Sequence, residues 1–149
     1  MKEIKVAENK TLKLTNVLSR EIHPEEMASL PVVLTQMHNF IKSNNAQPIG
    51  PIVQAMVVGE DRQMHLYMMQ QATQMITQME PGYHMDAVLR VKNCLYAHYT
   101  GPMSHNQLAT AKLQIMAFEN DIKLTGDNYT IYVNQDDDDA VIDVFMETK

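Results

Sequence analysis

The feature that most constrains this chain is an internal repeat of pattern. Sliding the sequence on itself by 76 residues sets Gly50 on Gly126, and sets Val53, Ala55 and Val57 on Tyr129, Ile131 and Val133. The same shift sets Leu66 and Met68 on Ile142 and Val144, and Met37 and Phe40 on Leu113 and Met116. Few identities accompany it, so what repeats is hydrophobic periodicity. A repeat of this kind makes each half one supersecondary unit, and so bounds the architecture before any single residue is interpreted.

Within the first half, residues 11–22 ("TLKLTNVLSREI") alternate as a strand does. Leu30, Val33, Leu34, Met37, Phe40 and Ile41 then fall on one helical face, with Ser29 as N-cap and Pro31 in the first turn. "PIVQAMVVG" and "QMHLYMMQQ" read as two strands around a "GED" turn. The second half repeats the order. "DAVLRVKNCLYAHYTG" is a strand, and "GPMSHNQLATAKLQIMAFEND" carries a helix opened by Ser104 and Gln107 as a capping box. "NYTIYVNQ" and "AVIDVFMETK" are strands around four aspartates, and residues 70–85 connect the halves with a turn at "EPGY". The expected fold is α+β, with duplicated strand–helix–strand–strand modules in a single domain over residues 1–149. The pseudo-repeats span about 10–75 and 86–149. The sheet is mainly antiparallel, with helices on one face and a ligand cleft between the modules.

Composition removes several functions. The net charge is −6, and the densest basic stretch, "KEIKVAENKTLK", is interleaved with glutamates, so direct nucleic-acid binding is not expected. A lone cysteine, Cys94, excludes an internal disulfide, and the absence of a signal region or an 18-residue apolar run points to a cytoplasmic protein without a membrane partner. Cys94 among strand-like neighbours reads as a packed thiol. Residues 136–139 fail as a calcium loop, because Ala140 and Val141 occupy positions that need an oxygen ligand and a turn glycine. They read as a solvated hairpin tip whose charge discourages edge pairing. The six histidines lack close ligand spacing, and no nucleophile elbow, phosphate loop or zinc-protease motif is present. No catalytic residue, metal or cofactor is expected.

If the aspartates form the tip, Val133 pairs with Ile142, Ile131 with Val144 and Tyr129 with Met146, an apolar set for the helices to cover. The opposite face then carries Thr130, Tyr132, Asp143 and Phe145. Carried back by 76 residues, the matching face holds Gln54, Met56, Tyr67 and Met69. Aromatics, flexible methionines and one carboxylate suit a cleft for organic ligands. They equally suit a core between modules or a dimer interface.

Three stretches, "TGPM" (residues 100–103), "GDNYTIYVN" and "VIDVFME", together with the duplicated order, resemble the GyrI-like small-molecule-binding family. That family includes effector-binding domains of bacterial multidrug-responsive transcription activators. The resemblance implies a cleft that binds lipophilic, often cationic, compounds, with Tyr67, Tyr132 and Phe145 as walls, Met56 and Met69 as adaptable packing, and Gln54, Thr130 and Asp143 as polar anchors. Relatives commonly keep a glutamate between the two tyrosines of the later strand, and this chain has Thr130 there. The departure puts in doubt both cation binding at that position and the hydrolase activity of relatives that use the same acid; Asp143 is the substitute candidate. The leading expectation is a non-enzymatic sensor or sequestering protein for small hydrophobic ligands. The alternative is an interaction protein, with a transcription regulator or DNA gyrase as partner; a hydrolase, which would have to use Asp143 and Tyr132, ranks third. The resemblance also leads one to expect no helix-turn-helix, since about ten residues precede the first strand.

Overall fold

The computed structural model describes residues 3–149. Its elements are β1 (Glu3–Ile22), α1 (Leu30–Ser43), β2 (Pro48–Val58), β3 (Met64–Ala72), β4 (Tyr83–Gly101), α2 (Gln107–Glu119), β5 (Leu124–Asn134) and β6 (Ala140–Thr148). The β1–β3, β2–β3, β4–β6 and β5–β6 pairs are all antiparallel. The fold is therefore α+β and mostly sheet, and strand–helix–strand–strand occurs twice. Adding 76 to the bounds of β2 and β3 gives 124–134 and 140–148, the bounds of β5 and β6. Gly50 (φ +75°) and Gly126 (φ +100°) both occupy the left-handed region, and each lies where its hairpin shifts register. The glycine pair in the repeat thus marks a bulge that L side chains tolerate poorly.

The chain divides into two compact units, one spanning Lys13–Leu89 and the other joining the segment up to Leu12 with Arg90–Lys149; the dividing points fall inside β1 and β4. In the first unit, Val33, Met37 and Ile41 of α1 meet Leu18, Ile22, Met68 and Ala72 of the strands, all buried. Each such side chain contributes on the order of 2 kcal/mol of transfer free energy. Phe40, on the flank of the same helical stripe, stacks on Tyr83 with ring centroids 4.7 Å apart. In the second unit, Ala109, Leu113 and Ala117 of α2 meet Leu95, Ala97 and Tyr99 of β4 and Ile142, Val144 and Met146 of β6. The Tyr99 hydroxyl donates to the Pro102 carbonyl at 2.5 Å, which ties the Gly-Pro element to the buried end of β4.

The start of α2 differs from expectation. Met103–His105 form a 3₁₀ turn, the N-cap is Asn106, and no side-chain cap bond forms, so Ser104 and Gln107 do not make a capping box. The amide of Met103 donates to the Asp137 carbonyl at 2.8 Å, drawing the segment into the tighter turn and delaying the helix. The aspartate run is an exposed hairpin tip. Its geometry is local, with Asp138 N donating to Asp136 Oδ1 at 3.1 Å and Asn134 Nδ2 to the Asp139 carbonyl at 3.0 Å. Among the described residues no helix is long and apolar enough to cross a membrane.

The two inner hairpins do not keep the expected register. Asn134 pairs with Val141 beside the tip, as the tip-centred count requires, but the pairing shifts between Tyr132 and Asn134. Beyond that point Tyr132 pairs with Ile142, Thr130 with Val144 and Asn128 with Met146. One extra residue in β5 inverts the assignment of every side chain below it, because side chains alternate with period two. In the other hairpin Val57 pairs with His65 and Ala55 with Tyr67, again one residue from expectation. There the cause is the connection itself, in which Gly59 N bonds Gln63 O at 2.9 Å and Arg62 N bonds Gly59 O at 2.9 Å.

Candidate functional site

In β4, Leu95, Ala97 and Tyr99 face α2, so Cys94, Tyr96 and His98 face the other way. The pairing assembles that opposite face in rows. His98, Asp143 and Ile131 form one row across β4, β6 and β5, and Tyr96, Phe145 and Tyr129 form the next. A single carboxylate is thereby set beside three aromatic rings from three strands.

Asp143 Oδ1 accepts from the Tyr96 hydroxyl at 2.7 Å and lies 2.6 Å from His98 Nδ1. A carboxylate only accepts, so the proton sits on Nδ1 of the imidazole. The Tyr96 and Phe145 rings lie 5.0 Å apart at 45°, within the range of favourable tilted pairs. The Asp143 side chain keeps 21% of its surface exposed. Burial, then the hydrogen bond to Asp143 and its charge, push the Tyr96 phenol well above the ordinary tyrosine range. Burial likewise pushes Tyr129 up to about 12, with Asp127 and Glu147 adding to the shift. Cys94 lies across from Glu147 and is buried, and its thiol is pushed up to about 11 by that burial first and by Glu147 second. Such a thiol is a poor nucleophile.

Of the residues singled out in sequence, Asp143 and Phe145 lie on this face. Thr130 and Tyr132 do not: the bulge turns them toward α2, where they line a depression of about 180 Å³ with Asn106, Gln107 and Thr110. In the unit spanning Lys13–Leu89, Tyr67 and Met69 lie on the face away from α1, across from Glu21 and Ser19. Gln54 and Met56 pair with Met68 and Leu66 and so lie on the α1 side, a second correction with the same period-two cause. Met56 lines a depression of about 400 Å³ with Ile22, Pro24, Met27 and Met64.

Several polar residues on these faces escaped the sequence reading. Tyr96 and His98 were visible as alternate positions in "NCLYAHYTG", but nothing local tied them to Asp143 some 45 residues away. In the other unit His65 is held between two carboxylates, with Nδ1 3.1 Å from Glu21 Oε2 and Nε2 3.0 Å from Asp61. The hydrogen bond to Asp61 first, and that to Glu21 second, raise the imidazole above its ordinary value. The Tyr67 hydroxyl reaches the same Glu21 at 3.5 Å. Among the described residues no cluster of three or more His, Cys, Asp or Glu could hold a metal ion. On the β4–β6 pair, then, one partly exposed carboxylate is held by a phenol hydroxyl and an imidazole, with the Phe145 ring in the next row.

No family model matches the chain, and no curated protein matches it. Solved structures do. EcmrR in its complex with DNA aligns with a TM-score of 0.69 at 12% identity over 99% of this chain, which spans 57% of the EcmrR chain. The EcmrR C-terminal domain alone aligns with a TM-score of 0.64 at 12% identity, covering 100% of this chain and 98% of that one. SAV2435 bound to tetraphenylphosphonium aligns with a TM-score of 0.56 at 12% identity, over 99% of this chain and 94% of that one. At these identities the likeness is one of fold, and the chain has the fold of the EcmrR C-terminal domain and of SAV2435.

Proposed function

We propose that this chain is a GyrI-like effector-binding domain that takes lipophilic, cationic compounds on the β4–β5–β6 face, as a bacterial cytoplasmic sensor or sequestering protein. The observation that carries this reading is Asp143, a partly exposed carboxylate whose sheet neighbours are Tyr96, Phe145, Tyr129 and His98. It stands where it can meet a positive charge beside the partly exposed rings of Tyr96 and Phe145, while Tyr129 is buried. The fold neighbours support it: one is the C-terminal domain of EcmrR, and another, SAV2435, is bound to tetraphenylphosphonium, a lipophilic cation. The role in this reading is binding without turnover; the upward shifts of the phenol and thiol on this face accord with that and favour no nucleophile there. Tyr132 and Thr130 have no part in this face, and Asp143 supplies the acid that relatives place elsewhere.

Thermal-shift and calorimetric titrations with tetraphenylphosphonium, and with triphenylphosphine oxide as an uncharged counterpart, test the proposal. Stabilisation should grow with ligand concentration by mass action. Asp143→Asn should weaken the cation about tenfold, equivalent to about 1.4 kcal/mol, and leave the neutral compound within about twofold. No stabilisation by either compound in a folded sample would sink it.

A further inference from the structure

Helix α2 carries two apolar faces, of which the fold buries one. Ala109, Leu113 and Ala117 meet the sheet, while Leu108, Ile115 and Phe118 are 45%, 59% and 84% exposed. With Ala111 these form a stripe at spacings of three and four residues, on the side of the helix opposite the core. That is the a/d spacing of a helix seam. The stripe is bordered on one side by Lys112 and Glu119, and on the other by Gln107 and Gln114. A groove of about 720 Å³ runs along the charged border, lined by Leu108, Ile115, Met116 and, from β1, Ile4.

We propose that this stripe is a self-association surface, on which α2 of a second copy of the chain lies antiparallel about a two-fold axis. The charges select this occupant and orientation. In an antiparallel pair, positions on the same border face each other, so each Lys112 meets Glu119 of the other copy and both pairs are attractive. The glutamines meet on the opposite border. A parallel pair would set each charge against a glutamine instead. The apolar layers also complement in size: Phe118 of one copy lies over Leu108 of the other, and Ile115 over Ala111, and the symmetry closes the interface. The Lys112 ammonium donates to the Ile4 carbonyl at 3.2 Å and, with three donors, can hold that bond and the new pair together. Three helical turns bury less than the roughly 1,200 Å² of a standard interface, so the dimer belongs to the small, reversible class.

Sedimentation velocity of the full chain over a concentration series tests this. The weight-average mass should rise from the 17.0 kDa of one chain toward twice that value. Phe118→Ser and Ile115→Glu, both at exposed positions, should keep the circular dichroism spectrum and weaken association at least about tenfold. Lys112→Glu should weaken it roughly threefold to tenfold, and Lys112→Glu with Glu119→Lys should restore it. A mass that stays at one chain throughout, an association indifferent to Phe118 and Ile115, or a double charge reversal that fails to restore it would each overturn the proposal.

Discussion

His98 Nδ1 lies 2.6 Å from Asp143 Oδ1 across the β4–β6 pair, and the same oxygen accepts from Tyr96. Removing the carboxylate leaves two donors without their acceptor in a partly buried place. Asp143→Ala should therefore destabilise the fold by about 1–3 kcal/mol. Asp143→Asn keeps an acceptor oxygen and should cost less than about 1 kcal/mol. Urea unfolding with unchanged slope separates the two; equal costs would mean that these bonds contribute nothing.

His65 lies between two carboxylates, Asp61 and Glu21. Its raised value means that its contribution to stability is fully present below its ordinary value near 6.5 and is lost as pH rises through the raised value. Asp61 is lowered, by the Gln63 amide first and His65 second. NMR titration should find His65 moved toward its ordinary value by Asp61→Asn more than Tyr67→Phe moves it. The reverse ranking would show that Asp61 is not its main partner.

Alkaline pH should unfold the chain earlier than its surface charge suggests. Tyr129 has a folded value of about 12 against an ordinary value of 10.0, and Cys94 about 11 against 9.0. A weak acid raised by burial stabilises the fold below its unfolded value and ceases to do so as pH rises through the folded one. The loss thus begins near pH 9 with Cys94 and continues from 10 to 12 with Tyr129. Two pH units correspond to about 2–3 kcal/mol for a buried group. Denaturant unfolding at pH 8.5 and 11 should show a drop of that order, and Tyr129→Phe should shrink it.

The register correction has its own test. Thr130 lies on the α2 side, beside Tyr132, Ile142 and Val144. Installing an acid there should bury part of a charge without a cationic partner, costing about 1–3 kcal/mol. Thr130→Glu should lower the melting temperature and leave tetraphenylphosphonium affinity within about twofold. A large gain in affinity would mean that position 130 faces the ligand.

Gly50 gives a measure of the bulge. Its φ is +75°, and an added Cβ would sit 3.2 Å from Gln71 Nε2. Gly50→Ala should cost about 1–2 kcal/mol, and an unchanged melting temperature would show that the left-handed geometry is not needed.

What the sequence determined alone was what periodicity carries: the two helices, the buried face of α1, the six strands, and a repeat whose shift maps one hairpin onto the other to the residue; α2 is apolar on two faces, and only packing chose which is buried. Burial enforces those patterns locally, so they can be read from nearest neighbours. In β3 and β6 the inner face follows the same rule, with Leu66, Met68, Ile142 and Val144 packed under the helices. The strands β2 and β5 were different. "NYTIYVN" has bulky side chains on both parities, so hydrophobicity does not choose between Thr130 and Tyr129 for the inner face. The bulge before Asn134 and the form of the 59–63 connection made that choice, and both depend on how the hairpin closes and packs. The meeting of Asp143 with Tyr96 and His98, and of His65 with Glu21 and Asp61, belongs to the same class. These partners lie far apart in the chain or across a turn, and only strand pairing in three dimensions brings a carboxylate to the one imidazole and the one hydroxyl that it holds.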